Sequence, residues 1–219
     1  MRVVAIDGPA GAGKSTVARA VALALGLEVL NTGAMYRAVT LAVLKSGADT
    51  KNDEACTNAA LKAQIDLSDK VLLDGEDISE EIRGALVTSE VSTVSAHPGV
   101  RGVLVANQRI WASKHGGAVV EGRDIGTVVF PDALVKVFLT ASDEERARRR
   151  VLDELAAGRD AKIEDVEADL VRRDAVDSGR SLSPLIPADD AIRLDSTTLT
   201  ISEVVEAIVK EFLVREARL

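Results

Sequence analysis

The chain has 219 residues, 47% of them hydrophobic, and a formal net charge of −8 at pH 7. That length and apolar share suffice for one sizeable α/β core with small appended lobes and argue against disorder, while the acidic balance disfavours a protein that grips a nucleic-acid backbone. Aromatic residues are only 2%, too few for a single-strand stacking platform, and the lone Cys56 allows neither an intramolecular disulfide nor a Cys/His zinc spacing.

Residues 2–6 are a short apolar run rich in Val and Ile, read as a strand, and they lead into Gly8-Pro9-Ala10-Gly11-Ala12-Gly13-Lys14-Ser15-Thr16. The spacing G-x-x-x-x-G-K-S is that of a phosphate-binding loop. Glycines let backbone N–H groups close around phosphates, Lys14 reaches the terminal ones, and the Ser15 hydroxyl is the candidate Mg²⁺ ligand. Val17, Val21, Ala24 and Leu25 follow at helical spacing, so the loop opens a helix whose N-terminal dipole faces the anion. Gly26 ends that helix, residues 27–30 read as a second strand, and Asn31-Thr32-Gly33 starts an amphipathic helix through Tyr36, Val39, Val43 and Leu44 to Gly47.

Between Lys70 and Ile78, Asp74-Gly75 separates two apolar runs, a hairpin signal, so residues 63–84 read as a small inserted β lobe. Helices are predicted over 85–96 and 98–113, and strands over 117–120 and 134–139. A charged helix capped by Asp143 then runs to Gly158, followed by a helix over 164–176, a strand over 191–195 and a final helix over 200–216.

Ligands of open parallel sheets sit at the carboxyl ends of the strands. Strand one ends in the loop, strand two in Asn31 to Arg37, and strand three in Glu121-Gly122-Arg123-Asp124. Arg37 and Arg123 are thereby aimed at one cleft, and a pair of guanidiniums suits a second phosphate. Glu121 and Asp124 are placed to orient metal-bound water or to pair with an arginine.

On the charged helix, Glu144 and Arg148 read as a surface i,i+4 pair. Arg146, Arg149 and Arg150 share a face, and a Gly-containing bend follows, as a mobile lid over a transferring phosphoryl group requires. His97 and His115 read as helix-end residues. On these residues alone the acceptor is a nucleoside monophosphate, a sugar or a shikimate-like acid. A nucleotide switch is disfavoured, since neither N-K-x-D nor a D-x-x-G after strand three is found.

Five stretches carry a resemblance: Ile6 to Ser15, Asn31 to Arg37, Glu121 to Asp132, Arg173-Asp174 with Asp177 and Arg180, and Ser183 to Asp190 running on to Leu194-Asp-Ser-Thr197. In these the chain resembles, end to end, the bacterial cytidylate kinases among the nucleoside monophosphate kinases. The resemblance implies in-line transfer of the ATP γ-phosphate to CMP or dCMP, giving CDP or dCDP and ADP, with Mg²⁺ required and a place in pyrimidine nucleotide metabolism. It implies an α/β P-loop three-layer fold with a five-stranded parallel sheet, plus an inserted monophosphate-binding lobe and a short lid. Residues 1–31, 103–140 and 179–219 would form the core, 32–102 the lobe with its β insertion near 63–84, and 141–178 the helical lid region.

Position by position, Tyr36, Arg37 and Arg123 resemble the clamp on the acceptor phosphate. Thr32, Ser92, Arg109 and Asp124 resemble the residues around the cytosine ring, where an acid and an arginine match its donor and acceptors. Arg173, Asp177 and Arg180 resemble the contacts on the sugar and phosphate side. Lys14, Arg123, Arg146, Arg149 and Arg150 are the expected charges on the transferring group. Thr32 stands where the family often has Ser, and the insertion around 66–78 is shorter than in some members, which leaves the size of the lobe's sheet open. Expected partners are ATP and CMP or dCMP, with no nucleic acid and no membrane, met by a monomer. The apolar run before Asp7 is too short for a secretion signal and no stretch could span a bilayer, so a cytoplasmic location is expected.

Overall fold

The computed structural model describes residues 1–156, 158–180 and 182–218; Ala157, inside the predicted 143–158 helix, Ser181 and Leu219 lie outside the described residues. The chain forms two compact units, Met1–Val29 with His115–Leu219, and Leu30–Lys114.

The first unit opens with β1 (Arg2–Asp7), whose residues 3–7 are all buried, as a strand covered on both faces must be. The loop leads into α1 (Lys14–Leu25), which Gly26 ends in the left-handed conformation at φ 63°, its N–H returning to Ala22 O. α1 buries Val17, Ala18, Val21 and Ala22. Ala24, predicted on that face, is exposed. The chain passes to the second unit within β2 (Glu28–Asn31).

The second unit begins with α2 (Thr32–Lys45), capped by Asn31, whose Oδ1 accepts from Ala34 N–H at 2.9 Å. α3 (Asp53–Lys62) has no counterpart among the predicted elements. It buries only Cys56 and Ala60, too faint an apolar stripe to find by periodicity, and its start is set by Asn52 accepting from Ala55 N–H at 3.0 Å. β3 (Ile65–Leu67), β4 (Val71–Leu73) and β5 (Glu76–Asp77) form an antiparallel three-stranded sheet. Asp74 and Gly75 both take positive φ, 52° and 86°, giving the predicted tight turn between β4 and β5. Leu73, Ile78, Ile82 and Val87 pack on Ala34, Ala38 and Leu41 of α2 as this unit's apolar core. α4 (Ala85–Val94) and α5 (Pro98–Lys114) complete it. Because α5 is unbroken, the second unit runs past 102 through residues 103–114.

Back in the first unit, β6 (Gly117–Gly122) is buried along its whole length and runs into a π-helical turn, Ile125–Val129. β7 (Val135–Thr140) and α6 (Asp143–Ala156) follow. The cap of α6 is Ser142 rather than the predicted Asp143: its Oγ accepts from Glu145 N–H at 3.3 Å, and Asp143 is the first helical residue. α7 (Ile163–Ser178), β8 (Ile192–Asp195) and α8 (Ile201–Glu216) close the chain, the last started by a reciprocal Thr200–Glu203 capping box.

The five-stranded parallel sheet is present, in the order β2-β6-β1-β7-β8. Val4, Ile6, Val21, Val137, Ile208 and Phe212 lie in the main core, between the sheet, α1 and α8. The β1–β6 register opposes Ile6 to Glu121 and Asp7 to Gly122, so the phosphate loop starts beside the segment that carries Arg123. No helix among the described residues is long and apolar enough to cross a membrane.

Candidate active site

The loop after β1 has room for nothing but glycine at its first position. Gly8 has φ 149°, and a Cβ there would overlap the Leu139 carbonyl oxygen. Lys14, the first residue of α1, is buried and donates from Nζ to Pro9 O at 2.6 Å. Burial, reinforced by the Arg123 charge, pushes its pKa down to about 7, while Glu121, Asp7 and Asp174 pull the other way. A cleft of about 570 Å³ opens over the loop, walled by Lys14, Ser15, Glu121, Arg149, Arg150 and Ile201, among others. Ser15 and Glu121 bring a hydroxyl and a carboxylate to that cleft, the hard oxygen donors a divalent cation takes alongside phosphate. Among the described residues no group of three His, Cys, Asp or Glu forms a metal cage.

The three arginines predicted as lid charges play different parts. Arg146 is buried beneath the loop, with Nη1 donating to Ala10 O at 3.0 Å and to Asp174, and Nη2 to Asp143 at 2.6 Å. It does not line the cleft. Arg149 lines it, but Nη2 donates to Ser196 O at 2.7 Å, Nη1 to Ser196 Oγ at 3.0 Å, and Nε to Glu145 at 2.8 Å. Ser196 Oγ itself donates to Ala12 O at 3.1 Å. Arg150 faces the cleft paired to Glu154. Arg148 pairs with Glu145 through two 2.8 Å bonds, not with the predicted Glu144, because the i,i+3 partner presents both oxygens. Ala147 of α6 and Leu170 of α7 pack on Ala10, so this helical pair rests on the loop.

At the end of β6, Arg123 Nε donates to Asp177 Oδ2 at 2.9 Å, and Arg180 Nη2 to Asp177 Oδ1 at 2.6 Å. Asp177 is buried between them. Arg173 stands on the same helix, its Nε buried without a hydrogen-bond partner among the described residues, and burial together with the Arg123 charge presses its pKa down. The 54 residues between Arg123 and Asp177 thus collapse into one cluster of three guanidiniums around a single carboxylate. Asp124 is buried one residue on. Asp7 holds the turn that follows, accepting from Ile125 and Gly126 N–H at 2.7 Å each, and burial lifts its carboxyl to about 6 against those two bonds.

A model of the family described as cytidylate kinase matches residues 4–213. The chain belongs to the cytidylate kinase family. Curated relatives named cytidylate kinase include one from Mycolicibacterium paratuberculosis, 53% identical over 209 residues, covering 93% of this chain and 92% of the relative. Another, from Rhodococcus opacus, is 51% identical over 208 residues and covers 93% and 91%. Among solved structures, an uncharacterized protein from Eubacterium ventriosum shares the fold at TM-score 0.52 and 10% identity, covering 97% of this chain and 98% of that one.

For a cytidylate kinase chain, the second unit holds the remaining predicted site residues in unequal settings. Thr32 is buried at the start of α2. Tyr36 is buried and accepts at its hydroxyl from Arg101 Nη1 at 3.3 Å, with the Arg101 guanidinium 5.8 Å from the ring centre. Arg37 donates from Nη1 to Ile82 O at 2.8 Å and to Thr88 Oγ1 at 2.9 Å. Ser92 is half-buried on α4, whereas Arg109 is exposed on α5. The arginine that α5 turns inward beside Tyr36 is Arg101, which sequence reasoning missed. The signal was present: Arg101, Leu104, Gln108 and Ala112 make one buried stripe at helical spacing, and a charge on such a stripe stands out from a solvated helix face.

Proposed function

We propose that this chain transfers the γ-phosphate of ATP to CMP or dCMP, giving CDP or dCDP and ADP. The observation that carries the reading is the phosphate loop with its buried Lys14 in the same unit as the Arg123, Arg173 and Arg180 cluster on Asp177. Two separate sets of anion-binding groups in one unit suit two phosphate-bearing substrates.

In this reading the loop N–H groups and Lys14 hold the donor phosphates, and Lys14 regains full charge beside them because anions oppose the burial that lowers its pKa. Ser15 and Glu121 would hold Mg²⁺, which when bound neutralises charge on the transferring group. No general base is required, since a nucleoside monophosphate is largely dianionic at neutral pH and attacks directly. An acceptor phosphate competes with Asp177 for Arg123 and Arg180, and Arg173 offers it an Nε–H that no group among the described residues accepts.

The second unit, residues 30–114, acts as the acceptor lobe, with Tyr36, Arg37 and Arg101 toward the acceptor and Thr32 and Ser92 toward its base; in the first unit, Asp124 is assigned to base reading. Within the helical region 141–178, Arg150 serves the transferring phosphoryl group, while Arg146 and Arg149 hold the loop that binds it. The partners are two small molecules, met by a cytoplasmic monomer.

A coupled assay across a panel of monophosphates with ATP and Mg²⁺ tests this. CMP and dCMP are expected to turn over fastest at low concentration. Faster turnover of UMP or AMP would overturn the assignment.

A further inference from the structure

Asp7 stands at the carboxyl end of β1 and is used twice. Its backbone closes the parallel ladder opposite Gly122, the last residue of β6. Its side chain reaches further along the neighbouring segment, Oδ1 accepting from Ile125 N–H and Oδ2 from Gly126 N–H, both at 2.7 Å. Those two residues start the π-helical turn, whose own bonds run from Val129 N–H to Asp124 O at 3.1 Å and from Phe130 N–H to Ile125 O at 2.7 Å. The first N–H groups of any helical turn lack partners inside it, so the carboxylate caps this turn from an adjacent strand.

Between the two points held in this way lie only Arg123 and Asp124. A two-residue span fixed at both ends has little conformational freedom, and Asp124 is buried within it at φ −141° and ψ 28°. We propose that Asp7 is a positioning residue for acceptor selectivity, setting the arm from which Arg123 and Asp124 meet the acceptor nucleotide. This rests on the acceptor-side reading of those two residues given above.

A cap needed only for folding could be a neutral Ser or Asn, without the cost of a buried charge. The carboxylate does what those cannot: it receives two N–H donors on two oxygens, a geometry that leaves the turn one position. The turn is closely packed at Gly126, where an added Cβ would press on the Lys136 side chain and touch Asp7. The next residue after Asp7 is Gly8, so the donor loop and the acceptor arm depart from one point in the sheet.

The test is Asp7→Asn, which keeps shape but turns an amide N–H₂ toward a backbone donor. Steady-state kinetics with CMP, UMP and ATP should show KM for CMP raised about tenfold and the CMP-to-UMP ratio of kcat/KM lowered about fivefold, with KM for ATP held within about threefold. An unchanged ratio, with the CMP and ATP constants moving together, overturns the proposal. Asp124→Ala run alongside separates the causes. If it moves the ratio and Asp7→Asn does not, positioning by Asp7 is wrong; if neither moves it, the acceptor-side reading of Asp124 falls and takes the proposal with it. Should Asp7→Asn not fold, amide hydrogen exchange on the wild-type protein decides. Ile125 and Gly126 amides are expected to be protected and slowed further by CMP but not by a non-hydrolysable ATP analogue. Exchange at open-loop rates, or equal slowing by both ligands, overturns it.

Discussion

The Lys14 ammonium donates to the Pro9 carbonyl at 2.6 Å, a bond internal to the loop that carries both residues. It satisfies the lysine within the loop, in a buried setting that brings its pKa down to about 7. Lys14→Met is expected to lower kcat by roughly a thousandfold or more, because a charge aimed at developing negative charge in a dry site is worth several kcal/mol. Circular dichroism and thermal melting should stay close to wild type. Collapse of the folded signal would instead make Lys14 a structural residue.

Arg146 and Arg150 lie one helical turn apart on α6 and are expected to fail in different ways. Arg146→Ala strands Asp174 and the Ala10 carbonyl beneath the loop, and breaking such a buried pair costs about 3–5 kcal/mol, to be read by urea denaturation. Arg150 is partly exposed and paired to Glu154, so Arg150→Ala should cost under about 1 kcal/mol of stability yet lower kcat by about a hundredfold. If Arg150→Ala left kcat intact, the phosphoryl-facing role would pass to another residue.

Two glycines separate backbone strain from steric overlap. At Gly26, φ is 63° and nothing lies within 4 Å of where an added Cβ would sit, so Gly26→Ala should cost only about 1 kcal/mol. At Gly8 an added Cβ would meet the Leu139 carbonyl as well as an unfavourable φ, and Gly8→Ala should cost roughly 3 kcal/mol or more. Thermal unfolding of the two variants gives the comparison, and equal losses would contradict it.

Acceptor recognition should follow burial rather than sequence position on α5. Arg101→Ala is expected to raise KM for CMP by about tenfold or more, since it removes a charged hydrogen bond beside Tyr36. Arg109→Ala, on the exposed face, should leave that constant within about twofold. Asp124→Ala should lose preference for cytosine more than affinity for phosphate; equal losses with all monophosphates would remove Asp124 from base reading.

The buried Asp7 carboxyl sets a pH dependence with a definite sign. Its pKa is 3.8 in the unfolded reference and about 6 in the fold, so the native state binds this proton more tightly. The resulting stabilisation is full below about pH 4 and is lost as pH rises through about 6, amounting to about 3 kcal/mol. Urea denaturation of wild type and Asp7→Asn between pH 4 and 7 reads it, because shifts at carboxylates remote from Asp7 cancel in the difference. Wild type should lose ground to the variant across that range, and a flat difference would contradict the assignment.

Much of the molecule was legible in the chain itself because the relevant contacts are local. The phosphate loop, the glycine that ends α1, the Asp74-Gly75 turn and the alternation of strands and helices along the chain all depend on spacings of a few residues, which backbone geometry and periodicity dictate. α3 escaped because only Cys56 and Ala60 mark its buried face. The division of labour among the arginines was decided elsewhere. Arg146 meets Ala10 across 136 residues of sequence, Asp7 meets Ile125 across 118, and α5 turns Arg101 rather than Arg109 inward. A run of charges on a helix specifies which residues share a face, but whether that face meets solvent, substrate or a loop carbonyl is settled only when distant segments pack and each buried charge must find a partner.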